Sequence, residues 1–189
     1  MNLSWSSLPN ILSVLRIFLV VPCVWWLGQH NYAATLAVFM MAALTDAADG
    51  GLAKRYGWAS RLGSLLDPIA DKILVGGVIV TLGVQAYVPV WWAGVIIARD
   101  IVIVGGALLY RYWVGFLEGR PTVVSKLNTC LQLLSVMAII AQEAWQMHFN
   151  GNLMNGLLAV TFLTTCISGF DYVISTVRRA RVERPLILD

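Results

Sequence analysis

Charge is scarce in this sequence. Of its 189 residues only 12% are charged, whereas 59% are hydrophobic. A soluble domain of this length could not cover so much apolar surface with so few charged side chains. The composition therefore argues against an ordinary soluble globular protein and predicts an integral membrane protein with little mass outside the bilayer.

Cysteine is also rare, and its placement excludes a cysteine metal site. Cys23, Cys130 and Cys166 lie in apolar runs without metal-ligand spacing, and an odd number cannot pair completely. The opening MNLSWSSLPN lacks the basic region of a signal peptide, and the apolar run after it carries Arg16. We therefore expect a retained first span and no disulfides. Nothing in the sequence indicates a nucleic-acid partner.

Long apolar segments dominate what is present. A segment of ~20 apolar residues crosses the hydrocarbon core as a helix, and the alternation that would indicate strands is missing. The expected spans are 9–27, 32–52, 62–82, 89–110, 122–141 and 153–177. The sequence thus predicts an all-α integral membrane protein with six transmembrane helices. We expect one transmembrane domain over residues 1–189, with a short N-terminus and a basic C-terminal tail.

Lysine and arginine are missing from every second connection between these spans. The connections around His30, Val88 and His148 contain neither residue. In or around the remaining connections and the tail lie Lys54, Arg55, Arg61, Arg111, Arg120, Lys126, Arg178, Arg179, Arg181 and Arg184. By the positive-inside rule both termini are expected in the cytoplasm. The expected location is a bacterial inner membrane. The tail is interpreted as an anchor near anionic lipid, with substrate binding as the alternative.

Four aspartates border the connection between the second and third spans, in the segment DAADGGLAKRYGWASRLGSLLDPIADK. Asp46 and Asp49 are three residues apart, and Asp67 and Asp71 are four apart. At these offsets two side chains share one face of a helix. A short connection makes the two helices antiparallel neighbours. We therefore expect both pairs to face each other just below the cytoplasmic membrane surface.

Divalent cations would relieve the cost of this arrangement. An aspartate at mid-helix in lipid costs about 2.5–3.5 kcal/mol, and neighbouring carboxylates also repel one another. Hard oxygen ligands suit Mg²⁺, Mn²⁺ or Ca²⁺. Two such ions sharing bridging carboxylates form the arrangement used for phosphoryl displacement.

Ion pairing and ion transport are two alternative roles for the aspartates, and each would require other polar residues at particular places in the sequence. Ion pairing within a polar loop would use Lys54, Arg55, Arg61 and Lys72. Such pairing leaves the strict spacing of the aspartates unaccounted for. A transporter with an ion or proton pathway would need polar residues continuing to the outer side, where Glu143 stands nearly alone.

Small residues accompany the aspartates. Gly50 directly follows Asp49, and Gly63 precedes Asp67 by four residues. Glycine allows a ligand to approach the backbone closely, although small residues also allow helices to pack together. Ala53 is expected to keep the same face clear.

The combined pattern resembles a known signature. It reads Asp46-x2-Asp49-Gly50-x2-Ala53-Lys54-x8-Gly63-x3-Asp67-x3-Asp71. This spacing is similar to that of the CDP-alcohol phosphotransferases. One position differs from the family signature, because the family usually has arginine where this chain has Lys54. Lysine keeps the charge and loses the bidentate fork.

The resemblance implies a six-span membrane enzyme, commonly a homodimer, with two Mg²⁺ or Mn²⁺ ions. Such enzymes move a substituted phosphoryl group from a CDP-alcohol to an acceptor hydroxyl and release CMP. By resemblance the metal ligands are Asp46, Asp49, Asp67 and Asp71, with Asp71 also the general base. Substrate-binding positions are Gly50, Ala53, Lys54 and Gly63. An inactive scaffold would be expected to have lost one of the carboxylates, and all four are present.

Further segments resemble the branch that uses CDP-diacylglycerol as donor. These are Leu8-Pro9-Asn10-Ile11-Leu12-Ser13 with Arg16, and Leu66-Asp67-Pro68-Ile69-Ala70-Asp71-Lys72. Phosphatidylglycerophosphate synthases use glycerol 3-phosphate as acceptor and usually carry Arg-Glu and Gly-Lys-x-Lys-Thr further on. Here Asp100 replaces the glutamate and Asn128 the second lysine.

The segment Ser125-Lys126-Leu127-Asn128-Thr129-x2-Gln132 looks more like the mitochondrial-type cardiolipin synthases, which use phosphatidylglycerol. A phosphodiester acceptor carries one negative charge and glycerol 3-phosphate nearly two, so the missing lysine favours phosphatidylglycerol. Glycerol 3-phosphate remains the alternative acceptor.

Two cations lie outside the aspartate segment. Arg99 is expected within an apolar span, where an unpaired charge is costly. It is predicted to contact substrate phosphate, with a structural salt bridge to Asp100 or to an aspartate of another helix as the alternative. Lys126 has the same two interpretations.

Overall fold

The computed structural model describes residues 8–56, 63–113, 122–147 and 150–183, and among these the side chains of 14–45, 69–108, 122–147 and 150–176. Throughout these ranges the regular structure is helical. The helices are α1 Leu8–Gly28, α2 Tyr32–Tyr56, α3 Gly63–Val84, α4 Val90–Trp113, α5 Val123–Ala144 and α6 Gly151–Glu183. Each helix covers one expected span, so the all-α class and the order of six helices are confirmed.

Helix ends differ from the expected span ends where the apolar run stops before the helix does. The second span was expected to end at residue 52 and the sixth at 177, whereas α2 continues to Tyr56 and α6 to Glu183. The added segments contain Ala, Arg and Lys, which are good helix formers. Backbone hydrogen bonding therefore continues after the hydrophobic signal has ended.

Three helical segments of the described chain are long and apolar enough to cross a membrane. They are Val90–Leu108, Val123–Ala144 and Gly151–Thr176, and shorter apolar helical segments run over Val14–Gly28 and Tyr32–Thr45. Large apolar side chains such as Phe18, Val21 and Phe170 are about 70% exposed. An exposed apolar surface of this kind fits contact with lipid.

The helices group into two compact units. The first unit contains residues 1–88 and 136–148, and the second contains 89–135 and 149–189. In the first, α1 packs against both α2 and α3; in the second, α4 packs against α6. The expectation of a single domain stays a prediction.

Close packing of α1 on α3 depends on Gly77. A Cβ atom built at this glycine would lie 3.2 Å from Val24 Cγ2 and 3.5 Å from Val20 Cγ1. The neighbouring core side chains Leu27, Val78 and Ile79 are fully buried. This contact holds α3, and with it Asp71, against α1.

Three helices of the first unit end in the same backbone arrangement. His30, Ala86 and Gln146 have φ angles of 59°, 62° and 50°. In each case the next amide donates to a carbonyl five residues earlier, as in Asn31 N to Trp26 O at 2.9 Å and Tyr87 N to Leu82 O at 3.0 Å. This is the Schellman motif, in which the left-handed position usually holds glycine. A non-glycine residue at that position carries a conformational cost.

Replacing Ala86 with glycine is expected to raise the free energy of unfolding by about 0.5–1 kcal/mol, because relief of the left-handed strain exceeds the added flexibility of the unfolded chain. Equilibrium unfolding in mixed micelles measures the change. Ala37→Gly is the control, since Ala37 is exposed within α2, and a mid-helix glycine costs ~1 kcal/mol. An equal loss of stability in both variants would contradict the prediction.

A chain of polar side chains joins the ends of these helices. His30 Nδ1 lies 2.7 Å from the Tyr32 hydroxyl, which lies 2.5 Å from the Tyr87 hydroxyl. Tyr87 in turn donates to Glu143 at 3.4 Å. The chain therefore ties the start of α2 and the end of α5 to the turn after α3.

Candidate active site

The helix bounds place each aspartate pair toward one end of its helix. Asp46 and Asp49 lie in the C-terminal half of α2, and Asp67 and Asp71 near the start of α3. At 1.5 Å per residue they lie roughly 6–15 Å along the helix axes from the ends joined by residues 57–62. Each pair therefore lies within about three turns of the end of its helix that borders residues 57–62.

The opposite ends of α2 and α3 are also close together. Tyr32 is the first residue of α2, and its hydroxyl lies 2.5 Å from that of Tyr87, three residues after α3 ends. The facing ends are joined by the short connection at 57–62. The described helix contacts place both α2 and α3 against α1, and the expectation that α2 and α3 are antiparallel neighbours stays a prediction.

The side chains of most signature residues lie outside the described part. This applies to Asp46, Asp49, Gly50, Ala53, Lys54, Gly63 and Asp67, whose helical positions alone are described. The side chain of Asp71 is described and half-buried. Among the side chains that the structure describes, no three of His, Cys, Asp or Glu come together. The facing of the two aspartate pairs stays a prediction.

The donor set nevertheless fits a divalent metal. Both pairs occupy positions that are helical in the structure, so the offsets of three and four residues place each pair on one helix face. Four carboxylates supply hard oxygen donors, the ligand type that Mg²⁺ and Mn²⁺ prefer. The residues present therefore suit the ions that the signature implies.

Arg99 is buried in the second unit and is surrounded by polar partners. Only 6% of it is exposed. Its Nη1 donates to Asp100 Oδ1 at 2.7 Å, and its Nη2 donates to the hydroxyls of Ser125, at 2.9 Å, and Ser168. The salt bridge to Asp100 that the sequence suggested as an alternative is present. The expected contact with substrate phosphate stays a prediction.

Lys126 projects from a different side of α5. Its side chain is exposed, as are its neighbours Val123, Leu127 and Cys130. Arg99 reaches the adjacent Ser125. The structure therefore brings Arg99 to α5, with Lys126 pointing to the exposed side. The role of Lys126 in substrate binding stays a prediction.

Polar residues of α5 and α6 are hydrogen-bonded to one another, and the sequence alone indicated no such contact for Asn128 and Gln132 and did not point to Ser135, Thr161, Thr164 or Thr165. Ser135 and Thr161 hydroxyls lie 2.9 Å apart, and Thr164 and Thr165 both donate to Asn128 Oδ1 at 2.9 Å. We call this set, together with Gln132, the α5–α6 seam. One signal was available, because Thr161, Thr165 and Ser168 recur at helical spacing within an apolar span.

Comparison with known proteins agrees with the signature. The sequence model of the family described as CDP-alcohol phosphatidyltransferase matches residues 6–167. The chain belongs to this family. The match includes the aspartate segment and all of α1 to α5, so the CDP-alcohol phosphatidyltransferase assignment applies to most of the chain.

Relatives within the family divide between two named activities. The chain is 28% identical over 185 residues to a probable cardiolipin synthase (CMP-forming) of Drosophila melanogaster, and the match covers 89% of this chain and 57% of that protein. It is 32% identical over 184 residues to the human cardiolipin synthase (CMP-forming), covering 88% of this chain and 60% of the relative.

The second activity is named in a bacterial relative. A probable phosphatidylglycerophosphate synthase of Mycobacterium tuberculosis is 28% identical over 186 residues, covering 92% of this chain and 83% of that protein. The chain thus spans under two thirds of the fly and human relatives and most of the bacterial one. Family membership is common to all three.

Proposed function

We propose that this chain is a membrane-embedded phosphatidyltransferase that moves the phosphatidyl group of CDP-diacylglycerol to an acceptor hydroxyl and releases CMP. The family match over residues 6–167 carries this proposal, and the helical spacing of the four aspartates on α2 and α3 supports it. The proposed acceptor is phosphatidylglycerol, which makes the product cardiolipin.

In the proposed reaction the acceptor oxygen attacks the phosphorus that bears the diacylglycerol group. A new oxygen–phosphorus bond forms, and the bond from that phosphorus to CMP breaks. Asp71 accepts the proton of the attacking hydroxyl as general base. Lys54 contacts the pyrophosphate as a point charge, and Gly50, Ala53 and Gly63 leave room for the nucleotide to approach the backbone.

Asp46, Asp49, Asp67 and Asp71 would hold the divalent ions. When bound, Mg²⁺ or Mn²⁺ would neutralise the charge of the pyrophosphate and the charge that develops on the leaving CMP. Through the bound ions, Asp46, Asp49 and Asp67 would also fix the position of CDP-diacylglycerol relative to Asp71. Their spacing on two helices supports this assignment of roles.

The surroundings of Asn128 favour phosphatidylglycerol as acceptor. Asn128 is fully buried and accepts hydrogen bonds from Thr164 and Thr165. Its amide side chain carries no charge, so Lys126 is the cation of the segment 125–132. One lysine suits the single negative charge of a phosphodiester. We accordingly propose that Lys126 contacts the acceptor phosphate.

Glycerol 3-phosphate is the second candidate acceptor. It is favoured by the probable phosphatidylglycerophosphate synthase of M. tuberculosis, of which the match covers 83%. Glycerol 3-phosphate is smaller and carries nearly two negative charges, so binding it would require more nearby cations than binding phosphatidylglycerol.

We further propose a six-span membrane enzyme with both termini in the cytoplasm, acting as a homodimer in a bacterial inner membrane. Three described segments that could cross a membrane support the membrane part of this proposal. The absence of Lys and Arg from the connections around His30, Val88 and His148 supports the orientation.

Purified protein in lipid with CDP-diacylglycerol and Mg²⁺ or Mn²⁺ is expected to release CMP when phosphatidylglycerol is added. Parallel reactions with glycerol 3-phosphate as acceptor decide the substrate, and mass spectrometry of the lipid product identifies the bond formed. We expect at least about tenfold faster CMP release with phosphatidylglycerol, the discrimination that ~1.4 kcal/mol supplies.

The control reaction contains CDP-diacylglycerol and metal without acceptor, which measures hydrolysis. Faster release with glycerol 3-phosphate would replace the proposed acceptor by the second candidate. No release above hydrolysis with either acceptor would reject both.

A further inference from the structure

Arg99 connects three helices through one guanidinium group. Asp100 belongs to α4, Ser125 to α5 and Ser168 to α6, and each accepts a hydrogen bond from Arg99. These three bonds occupy both terminal nitrogens. The ion pair with Asp100 offsets part of the positive charge of the guanidinium, which weakens its attraction for a substrate anion. This set of four residues is called the Arg99 clamp below.

The Arg99 clamp adjoins the α5–α6 seam in the same unit. Ser125, Asn128, Gln132 and Ser135 recur along one face of α5, and the last three are fully buried. Their partners on α6 run in the opposite direction. Hydrogen bonds between membrane helices set how the helices align. The clamp and the seam together therefore fix the rotation of α5 about its own axis.

Lys126 lies on the other side of α5 from this buried face. At 100° per residue it is about 140° around the helix from the centre of the polar face. Its exposed neighbour Cys130 is four residues further on, on the same side. A rotation of α5 would consequently move Lys126 and Cys130 together.

We propose that Arg99 is a positioning residue, which holds α5 through Ser125 and α6 through Ser168 so that Lys126 meets the acceptor phosphate. The inference rests on the proposed function for the role of Lys126. It replaces the direct contact between Arg99 and substrate phosphate with an indirect role.

Ser168→Ala tests the clamp, since it removes one hydrogen bond of Arg99 and leaves the ion pair with Asp100. A hydrogen bond to a charged group is among the stronger ones. We expect the KM for the acceptor that wild type uses to rise about tenfold, with kcat within about twofold. The KM for CDP-diacylglycerol should stay unchanged. A purely structural loss would lower the amount of active enzyme and leave all KM values alone.

Ser175→Ala is the matched control on the same helix. The Ser175 hydroxyl donates to the Tyr172 carbonyl within α6 at 3.0 Å, so its loss should leave the acceptor KM as in wild type. On α5, Ser125→Ala should raise the acceptor KM, and Ser125→Thr, which keeps the hydroxyl, should restore it.

A spin label on Cys130 gives a readout that does not depend on activity. Cys130 is exposed and Cys23 is buried, so labelling is done with Cys166→Ala as background. We expect the line shape of the label to change with Ser168→Ala and to stay the same with Ser175→Ala.

These measurements separate the two proposals. Failure of wild type to release CMP with any acceptor would reject the proposed function, and the spin-label comparison would still decide the clamp. An unchanged acceptor KM together with an unchanged spectrum in Ser168→Ala would overturn the positioning role. Loss of kcat with an unchanged KM would also overturn it, since that is the result a purely structural loss gives.

Discussion

Replacing Asp71 with asparagine is expected to lower kcat for CMP release by about 10³-fold or more, since general base catalysis alone contributes 10²–10⁴. The asparagine amide matches the carboxylate in size and cannot accept the proton of the attacking hydroxyl. It also removes one negative charge from the proposed metal site. Turnover at saturating substrate measures the loss.

The fold should survive this replacement, because Asp71 is half-buried in a helix whose apolar contacts with α1 remain. Thermal unfolding of both proteins checks this. Asp171→Asn is the matched control: Asp171 is also a half-buried helical aspartate, and no chemistry is assigned to it. Folded Asp71→Asn with more than about a tenth of wild-type kcat would remove Asp71 from the base role.

Chelation of divalent cations is expected to abolish CMP release completely, and added Mg²⁺ or Mn²⁺ should restore it. In the proposed site four carboxylates lie close together and repel one another, and divalent cations offset that repulsion. Without the ions neither the pyrophosphate nor the leaving CMP is neutralised. Chelator saturated beforehand with Mg²⁺ is the control for direct effects of the chelator.

The unfolding temperature gives a second test of the proposed metal site, because one substitution should shift it upward without metal and downward with metal. Asp67→Asn removes one of the mutually repelling charges, so in chelator it should raise the unfolding temperature. With saturating metal the same variant should unfold at a lower temperature than wild type, because it has lost a ligand. Full activity in chelator, or a shift of one sign under both conditions, would argue against a shared metal site.

Local sequence patterns predicted most of the fold. Runs of apolar residues located all six helices, and the start of α2 at Tyr32 agrees with the expected span. The ends at Tyr56 and Glu183 were missed because apolar runs report contact with lipid, whereas helices end where backbone hydrogen bonding ends. The aspartate segment was likewise found from spacing alone, since offsets of three and four are set by helix geometry.

Contacts between helices were far less predictable. The sequence offered Arg99 several partners, including Asp100, although adjacent residues on a helix point about 100° apart. The length of the arginine side chain allows it to reach Asp100 and also Ser125 and Ser168. No local pattern indicates which serine of another helix lies within reach.

The sequence by itself determined where the helices lie, the helical spacing of Asp46, Asp49, Asp67 and Asp71, and membership in the CDP-alcohol phosphatidyltransferase family. These depend on short-range backbone geometry and on the order of residues. Only the tertiary structure decided that Arg99 links α4, α5 and α6 and that Asn128 faces α6. Partners of this kind depend on how each helix is rotated and aligned against its neighbours, and that is set by packing over the whole unit.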